Sequence, residues 1–320
     1  MIEYAKVIKM KKLFAVIIAA VILCAFCSCK NTETAKGIKI VCTAFPQYDF
    51  AKNILGDTDY TLSLLTKNGE DLHSYEPTAA DIIEIGTADL FIYVGGTSDS
   101  WVEDILKSAN NPRLETLAII DCISTLYCNE DESEHHHGDG HDHDDSVDEH
   151  IWLSLENAAA ITEEISGKLC GIDKENASVY SENTKSYIDK INKLDSEYKS
   201  AVDGAKRNVL LFADRFPFRY LTESYGIEYF AAFSGCSSES EASFETMAKL
   251  IDKTKELSLP VILTIDGSDG TLAKTVCSET GAKARTLDSC QSVSIKDIEN
   301  GTSYLGIMAS NLEVLKEALN

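Results

Sequence analysis

From about residue 174 to 206 the stretch KENASVYSENTKSYIDKINKLDSEYKSAVDGAK contains no proline, and it places Tyr180, Tyr187, Ile188, Ile191, Leu194 and Tyr198 at spacings of three, four and seven. That is the apolar stripe of one amphipathic helix. At 1.5 Å per residue such a helix spans on the order of 40 Å, long enough to join two lobes. Whatever lies on either side must be compatible with a rigid rod between them.

What lies on either side is strand and helix in alternation. Before the rod, IKIVCTAF reads as a buried strand, YDFAKNILGD as a helix stopped by glycine, and YTLSLLT as a second strand. TAADIIEIGTA then reads as a helix entered at Pro77-Thr78, DLFIYVGG as a strand, SWVEDILKSA as a helix and LETLAIIDC as a strand. HIWLSLENAAAITEEISGKL resumes as a helix entered at Asn157 and the alanines. After the rod, NVLLFAD, IEYFAAF, LPVILTID and KARTLDS read as strands, separated by helical FRYLTESYG, ASFETMAKLIDKTKELS and TLAKTVCSETG, with SYLGIMASNLEVLKEALN as a terminal helix. Such alternation specifies parallel sheets. The expected fold is therefore α/β, two lobes each with a parallel sheet flanked by helices, joined by one long rigid helix. The expected segments are a signal at 1–28, a tether at 29–37, a first lobe at 38–173, the linking helix at 174–206 and a second lobe at 207–320.

The first thirty residues carry Lys6, Lys9, Lys11 and Lys12 ahead of an apolar run from Leu13 to Phe26, the order of a secretory signal. The run is short for a membrane span, which needs about 20 apolar residues. In LCAFCSCK, Cys29 follows Ser28 and has Phe26 three places before it, a pattern that resembles the bacterial lipobox except that leucine is usual where Phe26 stands. Cleavage before Cys29, a lipid on its sulfur and attachment to the outer face of the cell membrane are expected. Of ten cysteines, Cys24 and Cys27 leave with the signal and Cys29 is acylated. The seven that remain form no CxxC pair, so a cysteine-type zinc site is not supported and free buried thiols are expected.

The formal charge is −23, and removing residues 1–28 takes away four lysines and one glutamate, leaving −26. A surface so acidic repels nucleic acid and concentrates cations. Enzyme signatures are missing from the sequence: there is no HExxH, no GxxxxGK[ST], no GxSxG and no glycine-rich dinucleotide turn, and no EF-hand loop is in register.

Six of the seven histidines lie in DESEHHHGDGHDHDDSVDEH, residues 131–150, and the seventh is His73 in EDLHSYEP. Imidazole with carboxylate is the donor set of borderline divalent metals. The run from 129 to 146 is polar and aperiodic, so it is expected to be a solvated loop whose His135, His136, His137, His141 and His143 bind metal loosely. His73 falls between a strand end and a helix start, where parallel sheets carry ligand-binding groups. His150 stands before the apolar IWL, with Asp148 and Glu149 supplying negative charge.

LHSYEPTAADI and DEHIWLSLENA resemble the two histidine motifs of the zinc and manganese solute-binding lipoproteins of bacterial ABC importers. The long helix, the flanking lobes, the lipobox and the terminal NLEVLKEAL agree with that family over nearly all of the mature chain. The resemblance implies a metal held in the cleft between lobes by two histidines of the first lobe, a His or Glu of the second and often a carboxylate near the end. Carried across by motif, these are His73, His150 and, from the strand-end Leu-Asp pair, Asp288. At the third position Arg215 stands five residues before Tyr220 in ADRFPFRYL, and a guanidinium cannot ligate. Asp214 is the substitute if the loop is shifted, with Glu239 and Glu241 further candidates. The alternative is that Arg215 pairs with Asp214 or Asp288, leaving fewer protein ligands plus water. Glu76 and Asp148 are expected to orient the rings.

The resemblance further implies Zn2+ as cargo, with Mn2+ the alternative, a permease and its ATPase as partners, a monomeric receptor and no catalysis. A metal-binding adhesin or sensor lipoprotein of the same fold is the second reading, and a zinc-dependent hydrolase the third.

Overall fold

Two four-stranded sheets, each entirely parallel, have the same order: β2-β1-β3-β4 and β6-β5-β7-β8. The computed structural model describes residues 37–128, 147–233, 235 and 242–320. The signal, the Cys29 tether, the five loop histidines, Glu239 and Glu241 lie outside those residues.

The first sheet comprises β1 (Ile38–Cys42), β2 (Tyr60–Leu64), β3 (Leu90–Tyr93) and β4 (Glu115–Ala118). Its crossovers include α1 (Phe45–Leu55), α2 (Ala79–Gly86) and α3 (Val102–Ser108). Helix α2 begins where expected because Thr78 and Asp81 form a capping box. The stretch LETLAIIDC is strand only to Ala118 and then turns into a 3-10 segment, Ile119–Cys122. Next come α4 (Leu155–Ile172) and α5 (Ala177–Asp203). The cap of α4 is Ser154, whose hydroxyl accepts from Asn157 N, rather than Asn157 itself.

Helix α5 is the rod, 27 residues and about 40 Å long. Its stripe is fixed by tertiary contacts rather than a cap: Tyr180, Thr184, Tyr187, Ile191, Leu194 and Tyr198 are buried, while Asn176 gives no side-chain cap. Burial of each large apolar member contributes roughly 1.5–3 kcal/mol. Tyr187 donates to Asp49 of α1 at 2.8 Å, and Tyr198 donates to the Met308 carbonyl at 2.6 Å. The same face thus grips both sheet layers.

The second sheet comprises β5 (Val209–Phe212), β6 (Glu228–Ala231), β7 (Val261–Ile265) and β8 (Lys283–Leu287). Its helices are α6 (Arg219–Tyr225), α7 (Phe244–Glu256), α8 (Thr271–Thr280), the short α9 (Ile295–Glu299) and α10 (Tyr304–Ala318), which contains Met308. The cysteines described, Cys42, Cys122, Cys128, Cys170, Cys277 and Cys290, are free thiols, but only Cys42 and Cys290 are buried as expected; Cys122, Cys170 and Cys277 are half-buried and Cys128 is exposed. No helix among the described residues is long and apolar enough to cross a membrane.

Candidate metal centre

The loops that leave the carboxyl ends of β2, β3, β5 and β8 meet the segment preceding α4, and that junction gathers the two described histidines. His73 lies in the 3-10 turn Leu72–Ser74, anchored by buried Leu72 and by Asp71, whose Oδ1 accepts from His73 N at 3.0 Å. His150 is 2% exposed, because the adjoining Ile151, Trp152 and Leu153 are fully buried and pull the backbone into the core. Trp152 Nε1 donates to Ser289 O at 2.8 Å, and Tyr304 donates to Trp152 O at 2.6 Å, so the segment is tied to the second lobe.

The two Nε2 atoms are 3.4 Å apart. On the far side of its ring, His150 Nδ1 is 2.8 Å from Asp148 Oδ1. An ionised carboxylate only accepts, so Nδ1 carries the proton and Nε2 keeps its lone pair. Nε2 of His150 is also 3.2 Å from Gln291 Oε1. His73 Nδ1 is 2.7 Å from Ser98 Oγ and 3.8 Å from Glu149 Oε2.

Zinc–nitrogen bonds of about 2.0–2.1 Å in a tetrahedron set neighbouring donor atoms about 3.3–3.4 Å apart. The observed 3.4 Å and 3.2 Å separations are therefore edges of the size zinc requires. Without metal these are hydrogen-bond contacts whose donor is set by the ring tautomers; a cation bonded to both nitrogens takes the proton's place.

Gln291 was not among the residues picked out in the sequence. It is 2% exposed and follows Cys290, a non-glycine residue held at φ +63°. That left-handed residue turns the chain after β8 so that Gln291 comes back to His150. A neutral amide carries no metal signature in a sequence, and a backbone sign change leaves no periodic trace.

In the metal-free protein the carboxylates expected to ligate accept backbone hydrogen bonds. Asp288 Oδ1 accepts from Cys290 N at 2.8 Å and helps to make that turn, taking no hydrogen bond from either histidine. Burial, reinforced by Asp266, pushes its carboxyl up to about 6. Asp214 accepts from Arg215 N at 2.9 Å and from Ile265 N at 3.4 Å, which ties β5 to β7. Arg215 pairs with neither of the acids expected: its Nη1 is 3.2 Å from Asp71 Oδ2, in the loop of His73. Glu76 is exposed and forms no hydrogen bond or ion pair with His73; Glu149, only 3% exposed, is the carboxylate beside that ring. Among the described residues no three His, Cys, Asp or Glu side chains gather as a ligand set.

The profile of the family described as ZnuA, zinc-uptake complex component A periplasmic, matches residues 40–318. The chain belongs to this family. Among its relatives, the high-affinity zinc uptake system protein ZnuA of Bacillus subtilis (strain 168) is 31% identical over 309 residues, covering 95% of this chain and 96% of that one. The zinc-binding lipoprotein AdcA of Streptococcus pneumoniae (strain R6) is 30% identical over 311 residues, 96% of this chain; the chain spans 61% of the length of that relative. The crystal structure of the Zn(II)-bound ZnuA-like domain of the pneumococcal AdcA superposes with a TM-score of 0.73 at 28% identity, covering 88% of this chain and 99% of the domain. The two-lobed architecture with its long helix is thus that of the zinc-uptake family.

Proposed function

We propose that the chain is an extracytoplasmic receptor that captures Zn2+ between its lobes and delivers it to an ABC importer. The observation that carries this reading is the 3.4 Å separation of His73 Nε2 and His150 Nε2, a tetrahedral edge. His73, His150 and Gln291 Oε1 supply three donors and water the fourth. Two neutral imidazoles favour zinc over manganese, which prefers carboxylate and water oxygen. Membership of the zinc-uptake family and the zinc-binding names of its relatives support the same cargo.

The remaining parts follow from the sequence. Lipid on Cys29 holds the receptor at the outer face of the membrane, where a permease powered by a separate ATPase takes the ion. The loop histidines from His135 to His143 raise the local zinc concentration beside His150. Binding without turnover is the activity that membership of the zinc-uptake family supports.

Competitive titration of the mature chain against a zinc chelator tests this. One tight equivalent is expected, abolished by His73→Ala and by His150→Ala. Retention of that equivalent in both variants would exclude the cleft as the cargo site.

A further inference from the structure

Glu149 is a buried carboxylate with one oxygen provided for and one left over. Oε1 accepts from Thr97 Oγ1 at 2.9 Å and from Ser98 N at 2.9 Å. Oε2 has no hydrogen-bond partner among the described residues and lies 3.8 Å from His73 Nδ1. An unsatisfied buried carboxylate oxygen costs several kcal/mol unless a positive or donating group faces it. The group that faces it is the imidazole.

The loop after β3 is shaped around this side chain. A Cβ on Gly96 would fall 2.2 Å from Glu149 Oε1, so only glycine there leaves room for the carboxylate. Gly96 has φ −94° and ψ −161°, which any residue adopts, so space rather than backbone conformation demands glycine. The same loop presents Ser98 Oγ to His73 Nδ1 at 2.7 Å. A serine hydroxyl can donate or accept and by itself does not choose between the ring's tautomers. A carboxylate alongside does, because it favours a proton on Nδ1.

We infer that Glu149 is a positioning residue for His73: its carboxylate holds the Nδ1–H tautomer, with Ser98 Oγ accepting that proton, and so leaves Nε2 bare toward His150. Asp148 does the same for His150 at 2.8 Å. Consecutive carboxylates in one segment thus orient the two rings, and both oppose the positive charge that each imidazole acquires when it binds a dication. The consequence for cargo rests on the zinc-receptor reading; the tautomer does not.

The experiment separates the two. In metal-free protein, at a pH where the ring is neutral, two-bond nitrogen–proton NMR correlations report the His73 tautomer. Wild type is expected to show the Nδ1–H form. Glu149→Gln, whose amide can donate toward Nδ1, is expected to shift His73 to the Nε2–H form and to weaken zinc by about 10–100-fold. Urea unfolding of the metal-free variant separates this from a packing defect, which would lower stability without moving the tautomer. Should Glu149→Gln fail to fold, Gly96→Ala displaces the carboxylate without changing its charge and is expected to move both readouts in the same direction. An unchanged Nδ1–H form in these variants, with zinc affinity within twofold of wild type, overturns the assignment. A tautomer that depends on Glu149 in a protein that binds no zinc overturns the cargo instead and leaves the positioning role standing.

Discussion

Arg215 Nη1 and Asp71 Oδ2 lie 3.2 Å apart, joining the loop after β5 to the loop that presents His73. Asp71 is therefore shared, since its other oxygen accepts from His73 N at 3.0 Å. Both side chains are about a quarter exposed, so the pair itself contributes at most about 1 kcal/mol to the apo fold. It also fixes a positive charge beside the loop that carries His73.

Arg215→His replaces that charge with a donor at the position where the family carries a ligand. Zinc affinity is expected to rise by about tenfold or more, ~1.4 kcal/mol, in competitive titration. A fall in affinity would mean that Arg215 holds the lobes in their binding geometry.

Gln291→Ala removes the amide oxygen 3.2 Å from His150 Nε2 and leaves both imidazoles in place. Zinc should bind more weakly, by about 1–2 kcal/mol, with stability hardly changed below saturating metal. Gln291→Glu restores an oxygen and adds a negative charge, so it should bind more tightly than wild type. Isothermal titration with a competing chelator distinguishes all three.

Deletion of residues 131–145 should remove weak additional equivalents of zinc and keep the tight one. Equilibrium dialysis over a range of free zinc reads both. Loss of the tight equivalent would place the cargo in the loop.

The pH dependence of stability carries a sign that can be checked at Asp99. Burial, opposed by hydrogen bonds from Gly95 and Val94 and reinforced by Glu149, pushes its carboxyl up to about 6 from 3.8. The folded state thus holds this proton more tightly than the unfolded state. Stability from this group is complete below about pH 4, falls between 4 and 6, and is lower by about 3 kcal/mol above 6. Asp99→Asn keeps an oxygen for the backbone donors and loses the titration. Measured by urea unfolding, the variant should gain on wild type between pH 4 and pH 7 by about that amount.

The sequence displayed most of the fold because its elements are long or strongly patterned. Helix α5 was visible from its tyrosines, and the strands from short apolar runs at the end of each crossover. Helix α9, Ile295–Glu299, is too short to show a period, and the end of β4 at Ala118 depends on packing that no local pattern reveals. His73 and His150 stood out because imidazole is scarce outside the acidic run. Gln291, Glu149 and the partner of Arg215 did not, since each depends on how one lobe or loop docks on another. Asp288 reads as a ligand because a carboxylate at a strand end commonly is one; one of its oxygens also accepts from Cys290 N in the turn that delivers Gln291.

The zinc-receptor reading is tested most directly by X-ray absorption at the zinc edge, on the mature chain lacking residues 131–145 and loaded with one equivalent of Zn2+. Two imidazole nitrogens at about 2.0–2.1 Å from zinc are expected, and His150→Ala, which loses the tight equivalent, should lose that signal. A spectrum with no imidazole scattering, or a chain that retains no zinc once the loop is gone, would contradict it.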